Sequence, residues 1–237
     1  KVAEEDICEA DVVIYVISRI SGEGKDRRKV KGDYYLSERE EEDLRYLAEM
    51  NKPVILILNA GGPVELTDIL EQTDNIKGIL NISQLGQEGG DALADVLLGK
   101  EVPGGKLTTT WARRYEDYPA SEEYGYLNGN LEKEKYKEGI YVGYRYFDTF
   151  SKEVSYPFGH GLSYTTFSFD VVSSGINGDK CEMKVSVKNT GNCAGKESVQ
   201  LYVKAPAGGL EKPAKELKAF AKTKLLQPGE SEVVTLS

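Results

Sequence analysis

The sequence is poor in cysteine, histidine and tryptophan, with three, one and one respectively in 237 residues. Cys8, Cys181 and Cys193 are too few and too scattered for a disulfide framework, and no C-x-x-C or Cys/His cluster offers a zinc site. Reduced thiols are expected, which favours a cytoplasmic setting. Positive charge is not in excess either. With 30 Lys and Arg against 39 Asp and Glu, the formal net charge is -9. Binding to nucleic acid or to an anionic membrane needs a concentrated basic patch, so neither partner is expected. No apolar run approaches the roughly 20 residues of a membrane-spanning helix, and the first residues lack signal-peptide character. Neither G-x-G-x-x-G nor G-x-x-x-x-G-K-[ST] occurs, and no cofactor and no metal are expected. An initiator methionine is also lacking, and Val233 to Ser237 read as a strand with nothing after it. These two features lead us to expect a piece of a longer polypeptide.

What is present suffices for packed cores, since 40% of the residues are hydrophobic. Val12 to Ile17 is a continuous β-branched and aromatic run, the pattern of a strand buried on both faces of a parallel sheet. Ser37 with Glu40 makes a capping box, and Leu44, Leu47, Ala48 and Met50 supply the apolar stripe of the helix that follows. Val54 to Leu58 is a second buried strand, broken by Gly61-Gly62-Pro63. A short helix over Glu65 to Leu70 leads to a third strand, Ile76 to Ile82, and Gly89-Gly90 opens a helix carrying Ala92, Leu93, Val96 and Leu97. The alternation implies a mostly parallel sheet with functional loops at the carboxyl ends of its strands.

Lys106 to Trp111 reads as an edge strand. Beyond it, residues 115–164 are crowded with tyrosine, glycine and charge and keep no regular period. Their aromatic content implies packing against protein, either this chain's own or a domain beyond it. From Thr166 the period becomes two, with Phe167/Phe169/Val171, Met183/Val185/Val187 and Val199/Leu201/Val203 as candidate faces. Turn chemistry lies at residues 189–192 and 227–230. The fold class expected is therefore α/β plus all-β: a mostly parallel α/β sandwich domain over 1–114, a connector over 115–164, and an antiparallel β-sandwich over 165–237. The last segment is shorter than the roughly 100 residues of such a domain, so its final strands are expected to be missing.

One stretch combines chemistry with position: Ser21-Gly22-Glu23-Gly24-Lys25-Asp26-Arg27, directly after the first strand. A carboxylate between two glycines at a strand end has the makings of a site, although charged residues in a turn are more commonly just solvated. Gly22 and Gly24 free the backbone to project Glu23, while Asp26 and Arg27 read as an ion pair shaping the loop, because an arginine does not titrate.

With Gly86-Gln87-Glu88-Gly89-Gly90, Pro103-Gly104-Gly105-Lys106-Leu107, Glu138 to Asp148 and Tyr156 to Phe167, this stretch resembles glycoside hydrolase family 3, in the β-glucosidase branch carrying a fibronectin type III-like domain. The resemblance covers nearly the whole chain. It implies a retaining hydrolase of β-glucosides or oligosaccharides, built from a barrel domain, an α/β sandwich domain and the fibronectin-like domain. It further implies that Glu23 is the general acid/base and that the nucleophilic aspartate belongs to the barrel, a domain absent from this chain, so the fragment alone is expected to be inactive. β-Xylosidase, α-arabinofuranosidase and β-N-acetylglucosaminidase specificities share much of this architecture, and a non-catalytic glycan-binding or scaffold module is the alternative of another class. His160, in a Gly-His-Gly turn, reads as structural, and Trp111 as packed rather than as a sugar platform.

Overall fold

The computed structural model describes residues 4–20, 27–124, 132–133, 135–178 and 180–237. The chain divides into two compact units, residues 1–90 with 112–135 and residues 91–111 with 136–237.

The sheet of the first unit contains β1 (Val13–Ser18), β2 (Val54–Asn59) and β3 (Ile76–Asn81), all parallel and in that order. β2 lies between the other two and supplies the centre of the core: Val54, Leu56, Ile57 and Leu58 are fully buried. The expectation that the first strand is buried on both faces is not met. Ile17 is fully buried, but Val12, Ile14 and Val16 are 43%, 50% and 52% exposed. A continuous apolar run permits two covered faces, and here β1 is the sheet edge with one face covered.

Before β1 lies the short α1 (Glu4–Glu9), and between β1 and β2 lies α2 (Glu38–Glu49). The capping box of α2 forms: Glu40 N donates to Ser37 Oγ at 3.2 Å and Ser37 N to Glu40 Oε2 at 2.7 Å. Leu44 and Leu47 are its buried residues. The chain leaves the helix through Asn51 at φ +52°, a left-handed conformation that asparagine tolerates. α3 (Thr67–Gln72) begins two residues later than the pattern implies, because Glu65 is held extended, its N–H donating to Tyr34 O at 3.1 Å. α4 (Gly89–Leu97) carries the chain into the second unit.

The expected edge strand at Lys106 to Trp111 shrinks to β4 (Trp111–Ala112). Leu107 instead exchanges hydrogen bonds with the turn at His160, Leu107 N to His160 O and Gly159 N to Leu107 O, both 2.8 Å, which is contact with a turn and not a ladder. The irregular stretch holds α5 (Tyr144–Thr149), entered through Gly143 at φ +59°, and β5 (Val154–Tyr156). Tyr144 shows what some of its aromatics do. Its ring lies 5.0 Å from Phe158 and 5.7 Å from Tyr202, and its hydroxyl accepts from Leu217 N at 2.7 Å. Tyr136, by contrast, is 86% exposed.

The period-two region forms two antiparallel layers, β10-β7-β6 from β6 (Phe167–Asn177), β7 (Lys180–Asn189) and β10 (Ser231–Leu236), and β8-β9 from β8 (Ser198–Val203) and β9 (Glu216–Lys222). Val185, Val187, Val199, Leu226, Val234 and Leu236 are the core between them. Phe169 and Val171 pair across from Val187 and Val185, hence on the same face, yet they are 50% and 64% exposed, because the two-stranded layer does not extend over them. The turn residue Asn189 is fully buried. Its Nδ2 donates to Cys193 O and Leu226 O at 2.8 Å, and its Oδ1 accepts from Thr165 Oγ1 at 2.7 Å and Gly191 N at 3.1 Å, so every donor and acceptor of the amide is used. The mixed architecture, parallel α/β followed by antiparallel β, is the expected one.

Candidate functional site at the end of the first strand

Ligands of open parallel sheets bind beyond the carboxyl ends of the strands. β1 ends at Ser18, followed by Arg19, almost fully buried, and Ile20, fully exposed. Glu23, Gly22, Gly24 and Asp26 lie outside the described residues.

Both flanking arginines are committed to the protein. Arg19 uses every N–H of its fork. Nε donates to Asp33 O at 2.7 Å, Nη1 to Ser18 O at 2.9 Å and Glu40 Oε1 at 2.8 Å, and Nη2 to Glu40 Oε2 at 2.7 Å and Tyr35 O at 3.2 Å. The bidentate pair with Glu40, together with the carbonyls, satisfies a charge that would be costly to bury alone. Arg27 donates from Nε to Asp33 Oδ1 at 3.0 Å, from Nη1 to Pro63 O at 2.6 Å, and from Nη2 to Asp33 O; its guanidinium carbon sits 5.8 Å from the centre of the Tyr34 ring. Arg28 N donates to Asp33 Oδ2 at 2.8 Å. Among the described residues Arg27 pairs with Asp33, and both arginines converge on the carbonyl of that residue.

The electrostatics follow from these contacts. Burial pushes the Asp33 carboxyl up, but the Arg28 amide and the Arg27 guanidinium outweigh it and hold the group below its ordinary value. Glu40 behaves likewise: burial raises it, while Arg19 and the Ser37 amide bring it below the usual range. Glu65 goes the other way. Burial raises it, and although the Tyr115 amide donates to Oε2 at 2.7 Å, the neighbouring Glu116 and Asp68 favour the neutral form and Arg114, 3.9 Å away, offsets them only in part. Tyr34, packed edge-on to Tyr115 at 4.9 Å, has its phenol pushed well above the ordinary range, chiefly by burial. None of the arginines can exchange a proton near neutral pH. The set can brace and orient; proton transfer requires a carboxyl group.

Sequence reasoning identified Arg27 but missed Arg19, Asp33 and the pairing role of Glu40. The available signals were an arginine directly after a buried strand and Asp33 behind Gly32, a glycine at φ +79°. Among the described residues there is no group of three or more His, Cys, Asp or Glu that could hold a metal ion, and no helix is long and apolar enough to cross a membrane. In the second unit, His160 packs its ring 5.2 Å from Tyr156, and burial followed by the charge of Lys106 lowers its pKa, which keeps it neutral at pH 7. Trp111 is buried, edge-on to the same Tyr156 at 6.0 Å.

Fold and site define a mixed α/β protein with a charged loop at a strand's carboxyl end and an antiparallel β region after it. Within that class, the model of the Glycosyl hydrolase family 3 C-terminal domain matches residues 1–144 and that of the Fibronectin type III-like domain residues 197–237. The chain belongs to glycosyl hydrolase family 3. It is 41% identical over 268 residues to "Beta-glucosidase A" of Butyrivibrio fibrisolvens, a match covering 96% of this chain and 32% of that protein. It is 37% identical over 194 residues to an "Exo-alpha-(1->6)-L-arabinopyranosidase" of Bifidobacterium breve, covering 81% of this chain and 25% of that protein. The solved structure of beta-glucosidase 3B from Thermotoga neapolitana in complex with alpha-D-glucose superimposes with a TM-score of 0.91 at 47% identity, over 99% of this chain and 33% of that one. The chain thus spans about a third, or less, of the length of these relatives.

Proposed function

We propose that this chain is the C-terminal-type portion of a retaining β-glucosidase and that Glu23 is its general acid/base. Retaining hydrolysis needs two carboxyl groups about 5–5.5 Å apart, one attacking the anomeric carbon and one protonating the leaving oxygen. Glu23 is the second. The first belongs to a barrel domain elsewhere in the polypeptide, so residues 1–237 alone do not turn over. Burial under the sugar and the nearby nucleophile raises the pKa of Glu23 and keeps it protonated for the first step. The observation that carries the reading is the position of its segment: it follows a parallel strand's carboxyl end, and Arg19 and Arg27, the residues on either side, are both anchored. Family membership and the β-glucosidase relatives supply the substrate class. The domain limits proposed with it are 1–114, 115–164 and 165–237.

The test is Glu23→Ala in the full polypeptide. General acid catalysis is worth about 100- to 10,000-fold, so turnover of alkyl β-glucosides, whose leaving groups need a proton, should fall by that range. Dinitrophenyl β-glucoside should lose far less, and azide should restore part of the rate. Equal losses on both substrates would refute the assignment. The arabinopyranosidase relative favours a second specificity for the same machinery, and parallel assays with aryl β-glucoside and aryl α-L-arabinopyranoside separate the two.

A further inference from the structure

We infer that the groove between residues 137–141 and the β8–β9 loop of the second unit is a binding site for a β-linked gluco-oligosaccharide. The choice of sugar rests on the β-glucosidase reading. The groove itself is built from residues of that one unit and does not involve Glu23.

The motif Glu138 to Asp148 has no part in the proposed reaction, yet its first residues, with Leu210 and Glu211, line a cavity of about 530 Å³. Small-molecule sites occupy roughly 300–1,000 Å³. The walls are fixed before any ligand arrives. Ala214 N donates to Thr149 Oγ1 at 2.9 Å, Leu217 N donates to the Tyr144 hydroxyl at 2.7 Å, and Lys215 Nζ pairs with Asp148 Oδ2 at 3.2 Å, which fastens the β8–β9 loop to α5. The opposite wall turns through Gly139 at φ +56° and is closed by Tyr141 N donating to Glu138 O at 2.9 Å. Preorganised walls lower the ordering cost of binding.

The lining combines two kinds of group. Ile140 and Leu210, 46% and 80% exposed, supply aliphatic surface. Tyr141 adds an aromatic ring, which lies 4.9 Å from that of Phe150, itself 5.3 Å from that of Tyr146. Glu138 and Glu211 bring carboxylates, and the Tyr141 hydroxyl donates to Glu211, a bond that pushes the phenol up. This mixture selects among ligands. Two carboxylates beside Lys137 disfavour an anion. A wholly apolar ligand would bury the carboxylates without partners, which is costly. A pyranose ring satisfies both: its C–H faces pack on the aromatic and aliphatic side chains, and its hydroxyls donate to carboxylates, which only accept. The proposed β-glucoside substrate then makes a β-linked gluco-oligosaccharide the member of that class this protein meets.

The test is affinity electrophoresis of the full polypeptide in gels holding soluble mixed-linkage β-glucan, with dextran gels as the control. The protein should be retarded by the β-glucan alone. Tyr141→Ala and Leu210→Asp should each weaken that binding about 10-fold and keep the turnover of an aryl β-glucoside. Tyr141→Phe, which keeps the ring but not the bond to Glu211, should fall between them and the unaltered protein. No retardation, equal retardation in dextran, or unchanged retardation in Tyr141→Ala and Leu210→Asp would overturn the inference. So would loss of turnover together with retardation, which would make the two side chains structural. If another part of the polypeptide covers the groove instead, Leu210→Asp lowers the melting temperature and leaves retardation as it was. Absence of aryl β-glucoside turnover in the unaltered polypeptide refutes the proposed function, whereas turnover without variant-sensitive retardation refutes this inference alone.

Discussion

The two units solve the problem of holding a loop in opposite ways. At the end of β1 the chain is held by charge: two arginines, two carboxylates and a set of main-chain carbonyls, with apolar packing underneath. In the β region the turn at residues 189–192 is held by one neutral amide, Asn189, set in a core of valine and leucine. Charge fixes direction and distance, since a guanidinium offers its donors in a planar fork, but it depends on keeping every partner. A neutral amide in an apolar core is less directional in its consequences and insensitive to pH. The difference is what would be expected if the first loop must place a reacting group and the second only reverse the chain.

The sharpest way to break this comparison is to remove one member of the buried pair. Arg19→Ala leaves Glu40 desolvated without its cationic partner, while the carbonyl of Asp33 keeps Arg27 and that of Tyr35 keeps the Gly32 amide, and it should cost the first unit about 3–5 kcal/mol. Hydrogen exchange of the β2 amides reads this unit by itself, which matters because two units need not unfold in one transition. A loss below about 1 kcal/mol, the worth of a surface ion pair, would mean that the brace is ornamental.

Next in size is Asn189→Ala. It takes the donor from the Cys193 carbonyl and the acceptor from the Thr165 hydroxyl and the Gly191 amide, while Leu226 O keeps the Gly195 amide, at about 2–3 kcal/mol. The effect should be confined to exchange of β7 and β10 amides and be the same at pH 5 and pH 7. A pH-dependent loss would contradict the view of this turn as uncharged.

Acid should separate the units without any mutation. The carboxyls of Asp33 and Glu40 lie below their ordinary values of 3.8 and 4.5 when folded, so the stability they contribute is fully present above roughly pH 5 and is lost as pH falls through the folded values. Protection of β1 and β2 should therefore decline at a higher pH than that of β7. Simultaneous loss would place the acid-labile groups elsewhere.

Much of this was legible in the sequence, and the division follows the physics. Strand runs, the Ser37–Glu40 capping box and the period-two faces are local patterns, set by neighbours three or four residues away at most, and apart from the run at Lys106 to Trp111 they appear where the patterns put them. How far a face is covered is not local. Val12, Ile14 and Val16 read like Ile17, yet only the last is buried in this chain, and Phe169 reads like Val187 but lies beyond the second layer. The brace was hidden for the same reason. Nothing in the order of residues says that Arg19 and Arg27 meet on Asp33, or that the Glu40 of a helix cap has a second task; those follow from the crossover that lays α2 beside the end of β1. Asn189 looked like turn chemistry alone because its partners are 24 and 37 residues away.

The smallest effect is the most discriminating, because it sets one partly buried carboxylate against another in the same unit. Glu40 is held ionised by Arg19, whereas Glu65 is pushed toward its neutral form by burial and by Glu116 and Asp68. With a folded pKa above its unfolded one, Glu65 imposes a cost above that folded value which is relieved as pH falls through it. Glu65→Gln removes the charge but keeps an acceptor for the Tyr115 amide, so at pH 7 it should change the first unit's stability by no more than about 1 kcal/mol, in the favourable direction. Glu40→Gln, which breaks a charge-assisted bidentate pair, should lose about 1.5–3 kcal/mol under the same conditions. If Glu65→Gln proved the costlier of the two, the 3.9 Å approach of Arg114 would be a stronger pair than its distance and exposure imply, and the charged network would have to be extended from the end of β1 to the start of α3.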